Sequence, residues 1–196
     1  MLVRKGDFFM QKNSKKSRIG LFGSLKVMTL AAMLTAMSVV IGMFCKTFLN
    51  FGLGLFRVTF ENLPILLAGL MCGPVVGGIV GLASDVISYL LSPQTYPINI
   101  LVTVGAALMG VISGALSRCV FKKRGHARII FSCAVSHVIC SMIIKPIGLY
   151  SYYGALVLWR IPLYLVIAPL EITLICMMYK NAAVRRMMDG GLLGDI

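Results

Sequence analysis

The sequence predicts an all-α membrane protein, a bundle of six transmembrane helices with both termini cytoplasmic. Three observations carry that prediction. Hydrophobic residues make up 59% of the 196 positions and charged residues only 13%, against roughly 45–50% and about 25% in ordinary globular domains. Mean hydropathy is +0.92, so an aqueous fold would lack the polar surface to cover itself, and the abundance of apolar residues excludes a disordered chain. The apolar residues also fall into runs that approach the roughly 20 residues needed to cross a bilayer as a helix.

The first run covers residues 27–45. The stretch after Glu61 is punctuated: Pro64 suits the first turn of a helix, where its missing N–H costs little, and Met71-Cys72-Gly73-Pro74 interrupts the run. Two short helices are therefore expected, 60–72 and 74–91, followed by a turn-forming loop at Ser92–Pro97. The remaining helices are placed at 98–117, 129–145 and 157–179.

Charge orients the bundle. Nineteen Lys and Arg against six Asp and Glu give a net charge of +13, which in a soluble protein would suggest nucleic acid. Here the cations cluster between apolar runs: before the first run, in a loop holding Arg118, Lys122, Lys123, Arg124 and Arg128, and in the tail at Lys180, Arg185 and Arg186. Six spans put all three clusters on one face, and the positive-inside trend makes that face cytoplasmic. A nucleic-acid partner is not needed to explain them. Residues 1–25 read as a basic cytoplasmic segment, 26–180 as the membrane domain and 181–196 as a cytoplasmic tail.

Small residues mark close helix approaches: Ala32 and Ala36 on the first helix, Gly73, Gly77 and Gly81 on the third, Gly110 and Gly114 on the fourth. The glycines read as internal packing, and the alanines are free to face another subunit. The six cysteines form no C-x-x-C pair and no zinc-like spacing. Cys133, His137 and Cys140 would share a helix face, where core packing is the simpler reading.

Four further cations, Lys46, Arg57, Lys145 and Arg160, map toward the outer ends of the helices, accompanied by Glu61 and Asp85. Charges at such places cost about 2.5–3.5 kcal/mol each on insertion scales unless they snorkel or find partners, so their convergence suggests an anion site. Tyr89, Tyr96, Tyr150, Tyr152, Tyr153, Tyr164 and Trp159 also gather outward, which suits a ligand with a flat ring system and a carboxylate tail. Phe48, Phe51, Phe56 and Phe60 populate a Gly-containing loop able to act as a lid or to rest in the lipid interface. Asp85 is placed to accept hydrogen bonds from a ligand ring or to pair with a cation such as Arg57, and Glu171 reads as structural. No H-E-x-x-H, G-x-S-x-G or Walker A sequence occurs, so the chain carries no enzymatic signature and no nucleotide-driven engine of its own. No cofactor or metal is called for.

The run Arg57-Val58-Thr59-Phe60-Glu61-Asn62-Leu63-Pro64, then Ala68-Gly69, Gly73-Pro74-Val75-Val76-Gly77, Gly81 and Asp85, Pro97-Ile98-Asn99, Gly105–Leu108, Tyr153-Gly154, Arg160 and Pro169-x-Glu171 resembles the substrate-binding components of energy-coupling-factor vitamin transporters, and most closely the folate-specific type. The resemblance spans residues 26–180. It implies a cell-membrane subunit of a bacterial ABC-type transporter, which captures a vitamin from outside and delivers it through a transmembrane coupling protein and two ATPase subunits. It implies that Arg57, Lys145 and Arg160 hold carboxylates or ring carbonyls, that Asp85 and Asn99 read the pterin edge, and that Tyr89, Tyr153 and Tyr164 stack. Ala32 and Ala36 match the small-residue motif through which such subunits meet the coupling protein. Many relatives carry Asn and Trp where this chain has Lys145 and Gly148. Another vitamin such as thiamine, and a ligand-free membrane assembly protein, remain alternatives.

Overall fold

The computed structural model describes residues 25–48, 50–51, 56–57, 59–91, 99–119 and 125–190. The basic N-terminal segment, the turn placed at Ser92–Pro97 and the Lys122–Arg124 part of the basic loop lie outside them. Helices α1 (Leu25–Phe48), α2 (Asn62–Cys72), α3 (Pro74–Leu91), α4 (Ile100–Cys119), α5 (His126–Ser136), α6 (Lys145–Tyr153), α7 (Arg160–Tyr179) and α8 (Ala182–Gly190) follow in order. Between α1 and α2, β1 (Asn50–Phe51) pairs antiparallel with β2 (Phe56–Arg57), setting Phe51 opposite Phe56. That pairing replaces part of the expected loop.

Among the described residues, five helical stretches are long and apolar enough to span a bilayer, His126–Tyr150 among them as one continuous stretch, and α2 is a shorter apolar helix. At 1.5 Å per residue, the 11 residues of α2 rise only about 16 Å. It compensates by being enclosed: Asn62 and Pro64–Cys72 are all buried. The long helices instead turn apolar side chains outward, including Met33, Val40 and Phe44 on α1 and Leu165, Val166 and Met177 on α7, as lipid-facing surfaces do. The chain is an all-α, multi-pass membrane protein.

The glycines set the geometry. A Cβ on Gly77 would lie 2.6 Å from Gly69 Cα, and one on Gly114 would lie 2.6 Å from Pro74 N. A Cβ on Gly110 would overlap the Gly77 carbonyl. Helices α2, α3 and α4 therefore meet backbone to backbone, as the small-residue pattern predicts. Gly73, at φ 99°, turns α2 into α3, and the Arg118 guanidinium occupies the space a side chain there would need. Left-handed φ and a lack of room make the same demand.

The fifth span departs from its expected limits of 129–145. It begins at His126, because Arg128 is inside the fold: its Nη2 lies 3.0 Å from Asp189 Oδ1 and donates to the Met188 carbonyl. It also runs past Lys145-Pro146 to Tyr153, through a π-helical segment at His137–Ile144. Pro146 cannot donate to the carbonyl four residues earlier, and widening the preceding turns accommodates it without ending the helix. Gly154, at φ 58°, closes α6, and a 3-10 turn at Gly154–Trp159 leads into α7.

Part of the expected tail is structured. Helix α8 buries Met188, and Asp189 accepts hydrogen bonds from Arg128 and, at 2.8 Å, from Tyr179 Oη. His126 packs edge-on against Tyr179 with ring centroids 5.0 Å apart.

Candidate binding site

At the end of the bundle opposite α8, polar side chains from α1, α2, α3 and α6 converge. Ser38 on α1 donates to the Glu61 carbonyl at 2.7 Å, fixing the chain where it enters α2. Glu61 lies against Gly42, where a Cβ would approach Oε2 to 2.8 Å and Ser88 Oγ to 3.5 Å. Gly42 is thus the residue that admits a carboxylate between α1 and α3. Lys46, in the last turn of α1, donates to the Ser88 carbonyl at 3.1 Å.

Deeper in, Lys145 Nζ donates to Asn62 Oδ1 at 2.8 Å, and both residues are buried. A lysine so placed keeps hydrogen-bonding capacity for a further acceptor. Asn62 Nδ2 and Thr59 Oγ1 are buried with no hydrogen-bond partner among the described residues, and buried donors left this way are satisfied by water or ligand. On the facing side, Asp85 Oδ2 accepts from Thr103 Oγ1 at 2.6 Å, tying α3 to α4 and orienting the carboxylate.

These residues line a narrow cleft of about 10 Å³: Ser38, Glu61, Asn62, Ser84, Asp85, Ser88 and Lys145, with Ile65 and Ala106 as apolar walls. That is about the room one water needs, far below the roughly 300–1,000 Å³ of drug-sized sites, so a ring-sized group enters only as the lining side chains move apart. Its lining suits a planar group with both donors and acceptors on its edge, beside an ammonium able to hold an anion.

Two residues expected at a site, Asp85 and Lys145, are brought together here. Tyr89 stands one turn beyond Asp85 on α3, half-buried, and Tyr164 is buried on α7. Asn99 caps α4: its Oδ1 accepts from the Leu101 N–H at 3.1 Å, and its Nδ2 donates to the Gly148 carbonyl. That engagement occupies the amide expected to read a ligand edge. The side chains of Arg57, Tyr153 and Arg160 lie outside the described ones.

Sequence reasoning missed Asn62, Ser38, Ser84, Ser88 and Thr103 as site or supporting residues. The signal was present in Ser84, Asp85 and Ser88, which place three polar groups on neighbouring positions of an otherwise apolar span. It also missed the partner of Glu171. His137 Nε2 lies 2.8 Å from Glu171 Oε2, both fully buried.

Polar side chains gathered in a cleft at one end of a membrane bundle are the arrangement a small-molecule-binding membrane protein needs. The chain matches the family model for the ECF transporter substrate-specific component over residues 26–187, and it belongs to that family. It is similar to a solved structure titled "Crystal structure of FolT bound with folic acid", with 25% sequence identity, a TM-score of 0.63, and coverage of 80% of this chain and 92% of that one. No curated protein matches.

Proposed function

We propose that the chain captures folate at the cleft floored by Lys145 and Asn62 and delivers it to an ATP-driven uptake complex. The observation that carries this reading is the similarity to FolT bound with folic acid, over 80% of this chain. The chemistry of the cleft supports it. A pterin edge alternates donors and acceptors, which Asp85, Asn62 and Glu61 complement, and the lysine suits a carboxylate or ring carbonyl. Arg57, Tyr89, Tyr153, Arg160 and Tyr164 complete the proposed site toward the outer surface.

Both termini are proposed to be cytoplasmic, in a bacterial plasma membrane, which sets the cleft outward. Ala32 and Ala36 are exposed on α1, which supports their proposed role against a transmembrane coupling protein. That protein and two ATPases supply the energy, and this chain performs no hydrolysis.

Equilibrium binding of folic acid to the purified protein tests the reading. A dissociation constant in the nanomolar range is expected, and one weaker than about 10 µM, only some 7 kcal/mol of binding, removes folate as the ligand.

A further inference from the structure

The fifth span carries a polar stripe on its inner side from Arg128 to Lys145, most of it unused by the folate reading. Arg128, Ser132, Ser136, His137, Ser141 and Lys145 are all buried. The serines and the two end cations recur every four residues, and His137 stands beside Ser136. The single interval of five, from Ser136 to Ser141, falls in the π segment, whose wider turns take the extra residue. The stripe rises roughly 25 Å, most of the ~30 Å hydrocarbon thickness of a bilayer.

A helical serine can satisfy its hydroxyl on the carbonyl four residues earlier, as Ser136 does on Ser132 at 2.7 Å. Ser132 and Ser141 do not. Their hydroxyls are buried without a hydrogen-bond partner among the described residues, as are Arg128 Nε and His137 Nδ1. Helix α7 packs against both α5 and the π segment and brings Glu171 to this face. Glu171 Oε2 lies 2.8 Å from His137 Nε2, close but not aligned as a hydrogen bond, and Glu171 Oε1 has no partner among the described residues. Leaving such atoms dry is costly, and the bilayer core offers no bulk water to relieve them.

The spacing fits water. Polar groups four residues apart on a helix are separated by about 6 Å of rise, and a water bonded to both spans about 5.6 Å, two hydrogen bonds of ~2.8 Å. One water per turn therefore bridges each group to the next and leaves bonding capacity for Glu171. The ends of the stripe are defined. Lys145 opens on the cleft, which has about the room of one water. Arg128 is held by Asp189 and the Met188 carbonyl, under α8.

We propose that the seam between α7 and the fifth span is a water-binding site, a file of ordered waters running from the cleft floor to α8. The orphaned atoms of Ser132, His137, Ser141 and Glu171 hold it, so the interior of the bundle is wet along one helix and dry elsewhere along the α2–α4 crossing. The inference does not depend on which ligand the cleft takes.

Radiolytic footprinting of the full-length protein without ligand tests it. A short X-ray pulse converts bound water into hydroxyl radical in place, and the fully buried Cys133 and Cys140 are the sequence neighbours of Ser132 and Ser141. Both thiols are expected to oxidise in the folded wild type at about a tenth or more of their rate in the denatured chain, where a dry, close-packed interior would leave them at background. In the double variant Ser132→Val/Ser141→Val, which removes two bonding groups and fills their space, oxidation of both thiols should fall at least about threefold relative to Cys72, a buried thiol on α2. Background oxidation in the wild type, or oxidation unchanged in the double variant, overturns the proposal. If the double variant does not fold, the comparison of folded with denatured wild type decides alone.

Discussion

Lys145 and Asn62 are joined by a 2.8 Å hydrogen bond between buried side chains 83 positions apart in sequence. The bond links the helix that resumes after the π segment to the first turn of the short helix α2. The lysine reaches Asn62 from position 145, the last residue expected for the fifth span.

Lys145→Met should abolish most ligand capture. Removing the charged partner of a buried polar contact costs about 2–5 kcal/mol of binding, so folic acid affinity should fall by roughly 30-fold or more. Titration calorimetry on wild type and variant reads the difference. Affinity unchanged within threefold would show that the amine holds only Asn62.

Asp85 and Thr103 form the second fixed contact, at 2.6 Å. Asp85→Asn keeps a group able to bond the threonine but removes the charge, and should weaken folic acid binding by about tenfold, the value of one charge-assisted hydrogen bond. Thr103→Val should weaken it less, because the carboxylate keeps its charge and loses only its tether. The double variant should then show less than the summed loss, as coupled neighbours do.

Helix packing gives a sharper contrast. Gly110→Ala forces a methyl into the Gly77 carbonyl, whereas Gly125 has nothing within 4 Å of an added Cβ. Overpacking costs about 1–3 kcal/mol. A detergent thermal-unfolding comparison should therefore show Gly110→Ala clearly destabilised and Gly125→Ala close to wild type.

At the other end of the bundle, Asp189→Ala leaves Arg128, whose side chain is 8% exposed, with the Met188 carbonyl but no countercharge, and removes the acceptor of Tyr179. Loss of hydrogen bonds to a charged group costs about 1.5–3 kcal/mol. Hydrogen exchange should show α8 losing protection while α2–α4 keep theirs. Uniform loss across all helices would mean that α8 is integral to the whole bundle.

The fold was legible where one physical pattern dominates a segment. Apolar runs fixed most helix positions, and Gly77, Gly110 and Gly114 announced the close crossing of α2, α3 and α4 because only small residues permit it. The fifth span was not legible, since Arg128 and Pro146 each argue locally for a helix end. A partner 61 positions away at Asp189 and a π segment reverse both arguments. The site was half legible. Asp85 and Lys145 stand out as charges in apolar surroundings, while Asn62 and Ser88 are ordinary residues until tertiary packing gathers them. Asn99 shows the converse, since a polar residue beside a span served equally well as a helix cap.

The central claim is a folate cleft opening to the outside between α1, α2 and α3. Thiol labelling of Ser88→Cys with a small membrane-impermeant reagent, in right-side-out vesicles and against the parent protein as background, tests it most directly. The account predicts labelling from outside that folic acid suppresses at sub-micromolar concentration, well inside the 10 µM limit set for a true ligand. Labelling only from the cytoplasmic side, or labelling indifferent to folic acid, would contradict it.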